Sequence, residues 1–161
     1  MKKLWAPWRF NFILHVDKGE CIFCTKPKEE DEKAYILYRG KHNFVIINIF
    51  PYNSGHLMIA PYSHKASPEL LDEEEYTEMF KLLQVSIRVI REAYKPDGFN
   101  IGFNIGRVAG AGYDGHIHLH VVPRWNGDTN FMPIIGDVKV VSEGIEETYK
   151  RLRPLFLKEL L

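Results

Sequence analysis

Between Gly115 and Arg124 the chain reads Gly-His-Ile-His-Leu-His-Val-Val-Pro-Arg, and three of its seven histidines, His116, His118 and His120, stand at alternate positions. Successive side chains of a β-strand point to opposite faces, so the three imidazoles share one face and Ile117, Leu119 and Val121 the other. Three readings compete. The row is an amphipathic strand with satisfied surface histidines, which strict alternation of three disfavours. It is a set of metal ligands, imidazole being the commonest such side chain. Or it is catalytic, one histidine attacking while its neighbours orient it or stabilise charge.

Two further stretches carry chemistry. Cys21 and Cys24 form a Cys-x-x-Cys pair, which in a cytoplasmic chain points to metal or redox chemistry rather than a structural disulfide. A thioredoxin-like role fits poorly, because the motif precedes a β-meander and not a βαβ unit. Gly106-Arg107-Val108-Ala109-Gly110-Ala111-Gly112 leads directly into the histidines, and a glycine-rich loop lets backbone N–H groups cradle an anion.

Stepping outward, 161 residues fit one domain, with 1–20 as an N-terminal extension and 142–161 as a C-terminal helix. Lys plus Arg (21) balance Asp plus Glu (21), so there is no charge footprint for a nucleic acid or an anionic membrane. Any phosphate must be bound locally. The N-terminus is basic but lacks a long apolar run, so neither a signal peptide nor a membrane span is expected, and the protein should be cytoplasmic. Trp5-Ala6-Pro7-Trp8-Arg9 should pack on the body or on a second subunit, since two exposed tryptophans make a sticky patch.

The positioning elements follow from periodicity. Residues 34–39 and 43–49 are β-rich and separated by Gly40-Lys41-His42, a hairpin signal; 56–61 is a third strand, closed by proline; 99–104 returns to strand character. Lys26 to Lys33 reads as a solvated loop. Asp72 with Glu75 forms a capping box, and Tyr76, Met79, Phe80, Leu83, Ile87, Ile90 and Tyr94 recur at helical steps until Pro96, predicting a long helix whose stripe covers the sheet. Arg124 to Asp128 is a turn with Asn-Gly at its centre. Glu143 to Leu161 is helical, with Pro154 expected to kink or end the helix. The sum is an α+β fold: an antiparallel sheet of about five strands, one long helix packed on it, and a C-terminal helix.

The pattern at 116–122 resembles the His-φ-His-φ-His-φ-φ signature, φ being apolar, of the histidine-triad (HIT) family of nucleotide hydrolases and transferases. The resemblance extends to Cys21-Ile22-Phe23-Cys24, to Asn48 eight residues before His56, to Ile59-Ala60-Pro61-Tyr62-Ser63-His64 and to Pro123-Arg124. The segments at 5–9, 51–58 and 123–131 are most similar to the branch of diadenosine polyphosphate hydrolases and phosphorylases.

The resemblance implies that His118 is the nucleophile toward the α-phosphorus of a nucleotide, and that His120 contacts the phosphate or the leaving oxygen. It implies that Asn104 and the backbone at Ala111 and Gly112 hold phosphate oxygens, that Asn48 meets the ribose hydroxyls, and that Ile46 and Met58 wall the base. For the last two, plain core is an equal alternative. It further implies a structural zinc on Cys21, Cys24, His64 and His116, the two thiols supplying only half of a tetrahedral set. A homodimer is implied as well. His15, His42 and His56 receive no chemical role.

One departure bears on the reaction. Many family members carry Gly-Gln followed by Ser or Thr before the triad, whereas Gly110-Ala111-Gly112-Tyr113 offers no polar side chain until Tyr113, in a loop one residue longer. That is similar to phosphorylase-type members, in which inorganic phosphate resolves the covalent intermediate. The expectation is therefore a dinucleoside polyphosphate phosphorylase, with diadenosine tetraphosphate as substrate. The alternatives are a plain hydrolase, a nucleoside phosphoramidase, or a non-catalytic zinc-stabilised nucleotide-binding module.

Overall fold

A computed structural model describes residues 20–131, 135 and 141–160. The tryptophan cluster at 5–9 and His15 lie outside them. Among the described residues, five strands form one antiparallel sheet: β1 (Ile36–Arg39), β2 (Asn43–Ile47), β3 (Leu57–Pro61), β4 (Gly98–Phe103) and β5 (Leu119–Arg124), in the spatial order β1-β2-β3-β5-β4. Four helices accompany them: α1 (Ile22–Thr25), α2 (Asp31–Ala34), α3 (Glu73–Tyr94) and α4 (Ile145–Leu160). The expected α+β architecture is the observed one.

Alternation sorts every central strand into two faces. Val45 and Ile47 of β2, Leu57 and Ile59 of β3, and Leu119 and Val121 of β5 enter the main core under α3 and α4. Burying each such side chain contributes roughly 1.5–3 kcal/mol. Phe44, Ile46, Met58 and Ala60 point the other way and form a second apolar cluster with Cys21, Phe23, Ala34 and Ile36. The site lies on this second face.

The long helix starts where Asp72 and Glu75 make the expected capping box, with the Asp72 N–H donating to Glu75 Oε2 at 2.9 Å. Its buried stripe is rotated from expectation. Glu75, Met79, Leu82, Leu83, Val85, Ser86, Val89 and Ile90 face inward, while Tyr76 and Phe80 are exposed and lean on each other with ring centroids 4.8 Å apart.

Other boundaries shift for local reasons. The stretch read as a solvated loop contains a 3-10 turn at Lys26–Lys28 and the single turn α2, whose end at Tyr35 adopts a left-handed φ of 57°. The first strand therefore starts at Ile36, not Ala34. The C-terminal helix runs through Pro154 instead of ending there. Proline removes the N–H that would bond Lys150, at a cost near 3 kcal/mol. Leu152 and Phe156, fully buried on either side, and Arg153, bonded to Leu37 O and Asp31, offset it.

Candidate functional site

The histidine strand is shorter than its pattern. Ladder pairing begins at Leu119, opposite Ile59, so only His120 belongs to β5, while His116 and His118 lie on the segment before it. Beyond Ile59 the partner strand runs into Pro61, and the Ile117 N–H donates instead to Lys65 O at 2.6 Å. His116 and His118 still share a side, both rings lying against Phe23 of the second cluster. All three imidazoles are buried, and so are Ile117, Leu119 and Val121 behind them.

His116 turns toward the cysteines. Its Nε2–H donates to Pro61 O at 2.9 Å, and a carbonyl can only accept, so Nδ1 carries the lone pair. That Nδ1 lies 3.3 Å from Cys21 Sγ and 3.6 Å from Cys24 Sγ, and His64 Nδ1 lies 3.4 Å from Cys24 Sγ. The four ligand atoms fall within 4.8 Å of one another. Bond lengths of about 2.3 Å to sulfur and 2.0 Å to nitrogen put the S···N edge of a tetrahedron at about 3.5 Å, so donor types and spacing fit a closed Cys₂His₂ centre. The Pro61 contact fixes the His116 ring with its Nδ1 toward the thiols. Tyr113 packs against the second cluster, its ring edge-on to His64 with centroids 6.3 Å apart.

His118 turns the other way. Its Nδ1–H donates to the His116 carbonyl at 2.9 Å, which leaves the lone pair on Nε2. Burial pushes its pKa below the ordinary imidazole range, against the pull of that hydrogen bond, and so favours the neutral, nucleophilic form. The His120 ring stands edge-on to it, with centroids 4.8 Å apart.

His56 is a site residue that the sequence reading left without a role. It is fully buried and its Nε2 lies 3.0 Å from His120 Nδ1. The Tyr52 N–H donates to His56 Nδ1 at 3.0 Å, and the Asn48 amide nitrogen lies 3.3 Å from the same atom. A backbone N–H can only donate, so His56 carries its proton on Nε2, gives it to His120 Nδ1, and leaves His120 with its own proton on Nε2. Asn104 Nδ2 lies 3.4 Å from that outer nitrogen, so with the His120 proton there the Asn104 amide accepts it only when turned to present its Oδ1. Period two was the available signal: His56 is two residues before Met58, whose face the site occupies.

Across the sheet, Ile36, Ile46, Met58, His120 and Gly102 are successive cross-strand partners. Ile46 and Met58 thus stand in one row with His120. Asn48 is nearly buried, its Oδ1 accepting the Phe50 N–H at 2.9 Å. In the glycine loop Gly106 and Gly110 take φ values of 78° and 89°, open to glycine without strain. Ala111 is buried, and its N–H bonds back to Gly106 O at 3.4 Å, while Gly112 is exposed. The loop holding His56 is tied down separately. Asn53 Nδ2 donates to Pro123 O at 3.1 Å and to Asp128, and Asp128 also accepts two bonds from Arg124 and one from the Trp125 N–H. A Cβ on Gly55, at φ +75°, would meet the Tyr94 ring at 3.0 Å.

Fold and site together define an α+β protein with a histidine-lined site on one face of an antiparallel sheet. Residues 29–127 match the family model for the HIT domain. An AP-4-A phosphorylase from Mycobacterium tuberculosis is 37% identical over 161 residues, covering 94% of this chain and 83% of that one. A bis(5'-adenosyl)-triphosphatase from Dictyostelium discoideum is 28% identical over 130 residues, 77% of this chain and 87% of its own. Among solved structures, a Zn-bound histidine triad family protein from Mycobacterium smegmatis superposes with a TM-score of 0.69 at 29% identity, covering 87% of this chain and 95% of that one. The chain belongs to the HIT domain family.

Proposed function

We propose that the protein is a dinucleoside polyphosphate phosphorylase that works through a nucleotidyl adduct on His118. The observation that carries this reading is the Nδ1–H bond from His118 to the His116 carbonyl, which leaves a neutral Nε2 lone pair beside the donor face of His120. His118 Nε2 attacks the α-phosphorus. An N–P bond forms, the P–O bond to the leaving polyphosphate breaks, and the ring keeps its Nδ1 proton and becomes cationic. The Nε2–H of His120 donates to the phosphate or the leaving oxygen, a contact worth on the order of 3 kcal/mol when preorganised. An oxygen of inorganic phosphate then attacks the same phosphorus and the N–P bond breaks. From diadenosine tetraphosphate the products are ATP and ADP.

Asn104 and the backbone at Ala111 and Gly112 hold phosphate oxygens, the Ala111 N–H giving up its 3.4 Å bond to Gly106 O to do so, and Asn48 meets the ribose; Ile46 and Met58 line the base, a reading supported by the row they share with His120. Phosphate over water as second acceptor is supported by the similarity to the AP-4-A phosphorylase. One structural zinc on Cys21, Cys24, His64 and His116 is supported by the fit of the quartet and by the Zn-bound relative. A homodimer is supported by β4, an edge strand that exposes Ile101. A cytoplasmic setting accords with the lack, among the described residues, of any helix long and apolar enough to cross a membrane.

Incubation with diadenosine tetraphosphate, with and without phosphate, tests the function. Phosphate-dependent ADP plus ATP is expected. AMP plus ATP without phosphate means a hydrolase instead, and no turnover with any dinucleotide removes the catalytic reading. Light scattering checks the dimer.

A further inference from the structure

Phe23 sits between the two cysteines, 2% exposed, on a turn closed by the Cys24 and Thr25 N–H groups on Cys21 O. Its ring stacks on His118, with centroids 4.6 Å apart and planes 27° apart, and leans on His116 at 5.3 Å. The thiols on either side of it reach His116 and His64. We infer that Phe23 is a positioning residue for His118, and that the Cys21–Cys24 turn is the clasp that keeps its ring in place. The inference rests on His118 being the nucleophile.

The physical case is geometric first. A single hydrogen bond at Nδ1 fixes one point of the His118 ring and leaves it able to tilt about that point. A flat ring against its face removes the tilt and aims the Nε2 lone pair, which in-line displacement at phosphorus requires. The second effect is electrostatic. Formation of the N–P bond makes the imidazole cationic, and the face of an aromatic ring attracts a cation stacked on it. An aliphatic side chain of similar size fills the space but supplies neither effect. Because the thiols bracket Phe23, whatever loosens the quartet loosens the stack.

The test uses the full chain with Phe23→Leu and reads two quantities: steady-state kinetics with diadenosine tetraphosphate and phosphate, and the NMR positions of the His118 ring C–H protons, assigned against His118→Gln. A stacked ring shifts those protons upfield, so Phe23→Leu moves them downfield, while kcat falls about tenfold and KM stays within about twofold. Chelating zinc from the wild type moves the same resonances the same way, and adding zinc back restores them; this arm needs no variant to fold. Resonances unmoved in Phe23→Leu, or a rise in KM with kcat intact, overturn the positioning role. Resonances unmoved on chelation overturn the clasp. A wild type that turns over no dinucleotide overturns the enzymatic reading, and the ring shifts still decide the stack and the clasp.

Discussion

His56 Nε2 and His120 Nδ1 lie 3.0 Å apart, and the direction of the bond between them is set from outside the pair by the Tyr52 N–H on His56 Nδ1. Three groups in a line thus determine which nitrogen of His120 carries its outward-facing proton. His56→Leu fills the space but gives His120 Nδ1 no donor. Its kcat should fall about tenfold, the equivalent of about 1.4 kcal/mol, with KM nearly unchanged. A variant whose KM rises and whose kcat holds would place His56 in binding rather than in orienting His120.

His118→Gln retains an amide near the imidazole position but forms no covalent adduct. Turnover should drop by at least about 10³-fold while nucleotide binding, read by calorimetry, persists. Wild-type protein quenched early in the reaction with radiolabelled substrate should carry label, and the variant none.

Acid should destabilise the fold through the buried imidazoles. Burial, then the charges of His120 and His118, hold His56 down to about 3; burial, then His118, hold His120 down to about 4. Both titrate near 6.5 in the unfolded chain. Between about pH 4 and 6.5 the unfolded state therefore binds more protons than the folded one, and stability rises with pH through that window. Thermal melts should show Tm falling as pH drops from 7 to 4, with a shallower slope in His56→Leu.

Purified, undialysed protein should contain close to one zinc per chain by elemental analysis. Cys24→Ser breaks the quartet and should lower Tm by about 10 °C, taking roughly 2–4 °C per kcal/mol for a domain of this size. A zinc content near zero would dispose of the ligand assignment.

Glu78 offers a prediction remote from the site. Its carboxylate accepts the N–H groups of Lys41, His42 and Asn43 at 2.7–2.8 Å and the Asn43 side chain at 3.2 Å, closing the β1–β2 hairpin onto α3. Glu78→Ala leaves those donors without their anion and should cost about 2 kcal/mol of stability, seen in urea melts, with kcat and KM intact.

What could be read from the residues alone divides by the range of the interactions. The period-two pattern of β2, β3 and β5, the Asp72–Glu75 capping box and the family signature are local, and they led to the sheet, the long helix and the positions of His118, His120 and the Cys₂His₂ quartet. His56 and Phe23 escaped because each acquires its part through a contact with a distant segment, His120 in one case and His118 in the other. The turn at Asp31–Ala34 is too short to show a period. The buried stripe of α3 leaves out Tyr76 and Phe80, because apolar spacing does not tell which side of a broad aromatic-rich surface meets the sheet. Pro154 obeyed its tertiary neighbours over its own backbone preference.

The division of β2, β3 and β5 into two faces sets how this chain tolerates changes in length. Met58 pairs with His120 while Leu57 and Ile59 serve the opposite core. Losing or gaining one residue inside Leu57–Pro61 would swap those assignments, sending core side chains toward the histidine-lined face and Met58 beneath the helices. Substitutions can be absorbed there one at a time, but an indel cannot. Lineages of this fold should therefore accumulate length variation in the surface turns, such as 125–128, and almost none between His56 and Pro61 or between His116 and Arg124.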